Sequence, residues 1–313
     1  MSTTNDFDRF FLHLPPFDRE KNFNQFWANA IKEMKSVSIE PHYERIIRKS
    51  SMKYDFFNVT FKGSNRSAVS GDLYYPRGTK RAKVIVLIHD YNRDFLYNPK
   101  LLTGGMAYFY LRLRGHDILE KKPEEEVTSP GYIIENILEK DNYYIKEVYL
   151  DAYRTIDALR LNNNLDCSEI GIIGKGLGAA LALFTAAFSE RIKALVLDTP
   201  SFSYLPLYQN ISTSDATNEI NEFIANHKAK KNQVKKNLTY YDAINFADMI
   251  RCPVLAIVGF KDTISPPECV FALFNHLLTD KTIEVYPDEG NSAGGDEQFI
   301  KSLQWLRKVL GAS

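Results

Sequence analysis

From Phe23 onward the apolar positions Phe23, Phe26, Trp27, Ala30, Ile31 and Met34 recur at helical spacing, which predicts an amphipathic helix with one face to bury. It lies within residues 1–50, read as an N-terminal extension docked on a larger body. Short alternating or β-branched runs follow at 57–61 and 71–75, the pattern of an antiparallel pair. The unbroken apolar run 84–88 predicts instead a strand buried on both faces. Further runs stand at 107–113, 170–173, 194–197, 254–258 and 282–286, with helical patterns between most of them. The clearest helix places Ile145, Val148, Tyr149, Ala152, Ile156 and Leu159 on one face. Strands alternating with helices imply an α/β fold, a mostly parallel central sheet with helices on both faces. The connection 201–250 is far longer than a crossover needs and contains a helix-like stretch at 217–227, so it reads as a helical insertion after a late strand. Insertions at such places often cover an active face, and the whole chain, 1–313, is expected to form one domain.

Charge removes several function classes. The 39 Lys and Arg balance 39 Asp and Glu, which argues against nucleic-acid or anionic-membrane partners. Lysines 228, 230, 231, 235 and 236 read as a solvated helix face rather than a binding patch. The chain opens without a basic start or an apolar core of signal length, and no apolar run approaches about 20 residues, so a cytoplasmic protein is expected. Cys167, Cys252 and Cys269 are too scattered for a disulfide framework and have no metal-ligand spacing, so neither metal nor other cofactor is expected. The glycosylation sequons at Asn58, Asn65, Asn210 and Asn237 are read as accidental.

Chemistry concentrates at 170–180, IGIIGKGLGAA, a buried strand, a Gly-rich turn and small residues opening a helix. That is the setting of the G-x-S-x-G nucleophile elbow, except that Gly176 stands where the serine would be. A phosphate-binding loop is the competing reading, but GKGLG has neither Walker nor G-x-G-x-x-G spacing. Two later segments favour the elbow. Asp262, in GFKDTISPP, follows a strand end where an α/β-hydrolase keeps its acid, and Asn291, in YPDEGNSAGG, stands where the histidine would follow the last strand. The chain order Ser, Asp, His is thus matched as Gly, Asp, Asn.

With FNQFWANAIKEM near the start, HDYN after the first buried strand, YYIKEVYLDAYRTIDAL before the elbow, the long run TYYDAINFADMIRCPVLAIVGFKDTISPPECVFALFNHL and the closing EVYPDEG, the chain resembles the acetyl xylan esterase and cephalosporin C deacetylase family. The resemblance runs nearly end to end. It implies an α/β-hydrolase fold and an active site with Ser at 176, Asp at 262 and His at 291. The oxyanion hole would use the backbone N–H groups of Tyr91 and Leu177. It also implies a small acetylated carbohydrate or ester as ligand and a homo-oligomer, commonly a hexamer. The chain departs from that pattern again at Asp90, where a glycine is usual, which places the shape of the loop in question.

Acyl transfer by this route needs an oxygen nucleophile and a base that shuttles its proton. Gly176 has no side chain, and the Asn291 amide does not titrate near neutral pH. In subtilisin, losing either nucleophile or base costs about 2 × 10⁶ in kcat. Ser292 and Ser265 read as turn and cap residues. His89, on the loop bordering the site, is the better candidate for a rewired base, and His116 a weaker one. Two readings therefore stand: a pseudoenzyme with a binding, scaffolding or regulatory role, or an active deacetylase with a rewired site. A third gives the extension and the insertion to assembly contacts. On the sequence alone, Gly176→Ser with Asn291→His is expected to produce some esterase activity beside the retained Asp262.

Overall fold

The computed structural model describes residues 8–91, 98–102, 104–116 and 131–311. Asn92 of the HDYN run falls outside them. A sheet of nine strands runs in the order β1-β2-β3-β5-β4-β6-β7-β8-β9. The first three strands, β1 (His42–Arg45), β2 (Tyr54–Lys62) and β3 (Ala68–Pro76), are antiparallel, and β3 pairs antiparallel with β5 (Ala107–Arg112). From β5 the sheet is parallel through β4 (Ala82–Ile88), β6 (Leu165–Lys175), β7 (Ile192–Asp198), β8 (Val254–Gly259) and β9 (Lys281–Tyr286). β1 has no counterpart in the sequence reading, which left it inside the extension. It is a short edge strand with mostly exposed side chains, so it carries no hydrophobic alternation to recognise.

The unbroken apolar runs follow from cover on both faces. Along β4, Val84, Val86 and Ile88 join a core shared with α1 (Phe23–Lys35), α2 (Tyr144–Arg160) and α3 (Leu177–Phe188). Ile85 and Leu87 point to the other side, where they join Leu303 and Leu306 of α8 (Gly295–Val309). A strand with two buried faces has no reason to alternate polar and apolar residues. Further helices are α4 (Leu205–Ile211), α5 (Asp215–Asn226) and α6 (Lys231–Leu238) within the 201–250 connection, and α7 (Pro267–His276) after β8.

The buried face of α1 is the one its periodicity marks, Phe23, Phe26, Trp27, Ala30, Ile31 and Met34. Trp27 is fully buried, its indole N–H donates to the carbonyl of Tyr240 (3.0 Å), and its ring lies 4.5 Å from Phe184 and 5.6 Å from Tyr149 between centroids. One side chain therefore joins the extension to α2, α3 and the 201–250 connection. Arg154, also buried, donates to the carbonyls of Met34, Val37 and Lys62, fastening the end of α1 and of β2 to α2.

The Asp242 carboxylate accepts the backbone N–H groups of Tyr204 and Leu205 (both 2.7 Å) and of Ile244 (3.2 Å), and burial pushes its pKa from 3.8 to about 7. The folded form therefore holds this proton more tightly than the unfolded chain. Its contribution to stability is complete below the unfolded value and is lost as pH rises through the folded one.

Trp27→Ala is expected to cost about 3–5 kcal/mol, read by urea denaturation, because it removes packing and a hydrogen bond at a junction of four segments. In Asp242→Ala, which carries no titrating group there, the fall in stability between pH 4 and pH 7.5 should be smaller than in wild type, as read from thermal midpoints across that range.

Candidate functional site

The residues singled out by the sequence meet at the C-terminal edge of the parallel strands, where α/β sheets hold their ligands. Gly176 directly follows β6 and precedes α3, Asp262 follows β8, Asn291 follows β9, and His89, Asp90 and Tyr91 follow β4. The turn at Gly176 has φ +56° and ψ −122°, a left-handed conformation suited to glycine. Behind it Gly178 lets α3 approach β4 closely, since a Cβ there would sit 2.3 Å from the carbonyl oxygen of Ile88.

The space beside Gly176 is taken by Asp90. A Cβ on Gly176 would lie 2.0 Å from Asp90 Cγ and 2.2 and 2.3 Å from its two oxygens. Asp90 Oδ1 accepts the N–H of Tyr91 (2.8 Å) and the N–H of Leu177 (2.7 Å). Those are the two donors that the family resemblance assigns to an oxyanion hole. By that resemblance, a carboxylate of the chain itself would take the place of the negative oxygen of an acyl-transfer intermediate. The cavity bordered by Asp90, Tyr91, Leu177, Phe202 and Ala216 measures about 10 Å³, the room of one water.

The acid and base positions are joined. Asn291 Nδ2 donates to Asp262 Oδ2 (3.1 Å), and Asp262 Oδ1 accepts the N–H groups of Ile264 (2.8 Å) and Ser265 (2.9 Å). Burial holds the Asp262 pKa above the usual carboxylate value against the pull of these donors. The carboxylate ties the β8 and β9 loops together.

Sequence reasoning missed Lys175, the residue before Gly176. It is buried, and its Nζ donates to Asp198 Oδ1 (2.8 Å), Thr199 Oγ1 (3.3 Å) and the backbone carbonyl of Asn291 (2.8 Å). The signal was present as one cation within an otherwise apolar elbow. Thr199 Oγ1 also accepts from Asn291 Nδ2 (3.3 Å), and Thr199 itself is a β-branched residue held at φ +41°, a strained conformation.

Both ring nitrogens of His89 are engaged by backbone. Nε2 accepts the N–H of Leu113 (3.1 Å), which makes Nδ1 the donor to the carbonyl of Asp90 (2.7 Å). His116 Nδ1 lies 3.2 Å from the carbonyl of Arg114. Ser292 Oγ donates to Glu289 within its own turn (3.1 Å), the role read for it, whereas Ser265 Oγ donates to the carbonyl of Thr199 (2.7 Å) and so joins two loops instead of capping its own. Tyr91 Oη accepts the N–H of Ile133 (3.0 Å) and donates to the carboxylate of Glu219 (3.1 Å), a residue of α5 that burial makes harder to ionise. The insertion thereby reaches the loop that carries Asp90. Among the described residues no group of three or more His, Cys, Asp or Glu could hold a metal ion, and no helix is long and apolar enough to cross a membrane.

Comparison with known proteins agrees with this architecture. The structure resembles an acetyl xylan esterase from Paenibacillus sp. R4 at a TM-score of 0.87 and 24% identity, covering 96% of this chain and 98% of the other. It resembles a second, from a Thermoanaerobacterium species, at 0.84 and 22%, with 96% and 98% covered. An acetyl esterase of Xylanibacter ruminicola is 23% identical over 310 residues, which is 95% of this chain and 69% of that protein. The model of the acetyl xylan esterase family matches residues 13–309, and the chain, an α/β-hydrolase fold, belongs to that family.

Proposed function

We propose that this chain is a member of the acetyl xylan esterase family that does not hydrolyse esters and serves instead in binding, scaffolding or regulation. The observation that carries this is the Asp90 carboxylate on the N–H groups of Tyr91 and Leu177. The loss of a nucleophile at Gly176 and of an imidazole at Asn291 supports it independently. An ester carbonyl has to reach both donors as its oxygen becomes negative, and here a carboxylate already accepts from them. The small cavity supports the same reading, since the described residues leave room for a water and not for an acetyl group.

The alternative, an active carbohydrate acetyl esterase with a rewired site, relied on His89. As a base His89 would have to give up the Leu113 N–H, leaving a buried donor unpaired at a cost of about 1–3 kcal/mol.

Self-association is a second role for the same fold. Phe11, Leu12, Leu14, Phe17 and Leu278 are exposed, and Phe11 and Phe17 lie against Phe271, Phe274 and His276 of α7, with Leu278 just beyond it. Exposed apolar residues in the N-terminal segment and beside the helix that Phe11 and Phe17 lie against suit contact with a second copy of the chain.

The Asp90 geometry changes the outcome expected of restoring the triad. With a small chromogenic acetyl ester, wild type should be silent, and Gly176→Ser/Asn291→His should remain silent because Asp90 occupies the space of the new side chain. Adding Asp90→Gly should raise activity at least tenfold above both. Turnover by wild type that His89→Ala abolishes would overturn the proposal in favour of the rewired esterase. Sizing in solution should give an oligomer, and Leu12→Glu with Leu14→Glu should shift it toward the monomer.

A further inference from the structure

The last strand of the sheet, β9, pairs with β8 on one side, and no described strand lies on the other. The carbonyls of Asp280 and Tyr286 accept the N–H groups of Val254 and Phe260 (2.9 and 3.0 Å), which marks the even-numbered positions as those facing β8. Backbone direction alternates along a strand, so the N–H and C=O groups of Lys281, Ile283 and Val285 point away from the sheet. Among the described residues no other segment offers them a backbone hydrogen bond.

Proteins blunt such edges with short strands, proline, bulges or charge. The opposite edge follows that rule, since β1 is four residues long, HYER, and its Arg45 pairs with Asp55. By contrast, β9 is six residues long, contains no proline, keeps an unbroken register with β8 and is rich in the β-branched residues Thr282, Ile283 and Val285. Lys281 does not guard the edge, because its ammonium donates to the carbonyls of Phe274, Asn275 and Leu277 at the end of α7 (2.8, 3.2 and 2.9 Å). Ile283 and Val285 pack against the cluster that holds Phe10, so the strand adjoins the N-terminal segment with its exposed Phe11, Leu12 and Leu14.

We infer that β9 pairs antiparallel with β9 of a second copy across a two-fold axis, joining two nine-stranded sheets into one. This rests on the self-association read above and names the contact that carries it. A second copy fits because β9 complements itself. Hydrogen bonding requires outward-facing positions to oppose one another, and the two such registers that pair most of the strand centre on Ile283 and on Glu284. The second sets Glu284 against itself, and like charges directly opposite destabilise a pair. The first sets Thr282 against Glu284 on either side of the axis, Lys281 against Val285, and Ile283 on the axis, with no like charges opposed.

Disulfide cross-linking of the full chain tests the register. In the pair centred on Ile283, positions 282 and 284 of the two copies face each other with Cα atoms about 4.5 Å apart, within disulfide reach. Under mild oxidation Thr282→Cys/Glu284→Cys should therefore form a covalent dimer and neither single variant should, the native cysteines being buried. Thr282 and Glu284 are exposed, so these variants should keep the wild-type thermal midpoint. Thr282→Glu, which opposes glutamates on both sides of the axis, should weaken association about tenfold in sedimentation equilibrium, and adding Glu284→Lys should restore it. A monomeric wild type would overturn the self-association and this pairing together. An oligomer whose double-cysteine variant stays uncrosslinked, or one that Glu284→Cys alone crosslinks, would overturn the pairing and leave self-association standing.

Discussion

At the centre of this molecule one carboxylate oxygen accepts two backbone N–H groups from different segments, Tyr91 after β4 and Leu177 at the start of α3. The Leu177 N–H opens a helix and has no carbonyl one turn earlier, and the Tyr91 N–H lies in the loop beyond β4. An esterase of this fold leaves such donors to a reaction intermediate that gains negative charge. Here an oxygen of Asp90 accepts from both of them. The same side chain fills the volume that a β-carbon at 176 would need, so the glycine at the elbow and the aspartate on the loop are complementary changes.

Around this contact Asp262 and Asn291 hold the loops after β8 and β9 together. Asp262 accepts an amide where the resemblance places an imidazole, and Asn291 is also held through its carbonyl by Lys175. Lys175 in turn pairs with Asp198, so a buried cation from the elbow links the loops after β7 and β9. Buried charges persist only when paired and hydrogen-bonded, and this one has three partners. The result is a hydrogen-bonded network joining the loops after β7, β8 and β9.

The periphery follows a different logic. The extension and the 201–250 connection are joined through Trp27 and Tyr240, and α5 reaches the Asp90 loop through Glu219 and Tyr91. Packing helices of a connection against an N-terminal segment encloses space as well as surface. A cavity lined by Asp18, Gln209 and Lys235 arises there, with Asp18 and Lys235 217 positions apart in the chain.

The sequence by itself determined the α/β architecture, because unbroken apolar runs require two covered faces and helical periodicity marks the helices that cover them. It also placed Gly176, Asp262 and Asn291 just after buried strands, and in the structure they follow β6, β8 and β9. It did not reveal β1, whose exposed edge carries no pattern, nor the work of Lys175, which depends on loops from β7 and β9 arriving beside it. Above all, Asp90 read only as a departure in a loop. Its meaning lies in three-dimensional distance, because a hydrogen bond between residues 87 positions apart has no local periodicity, and only the folded chain brings that oxygen to the Leu177 N–H.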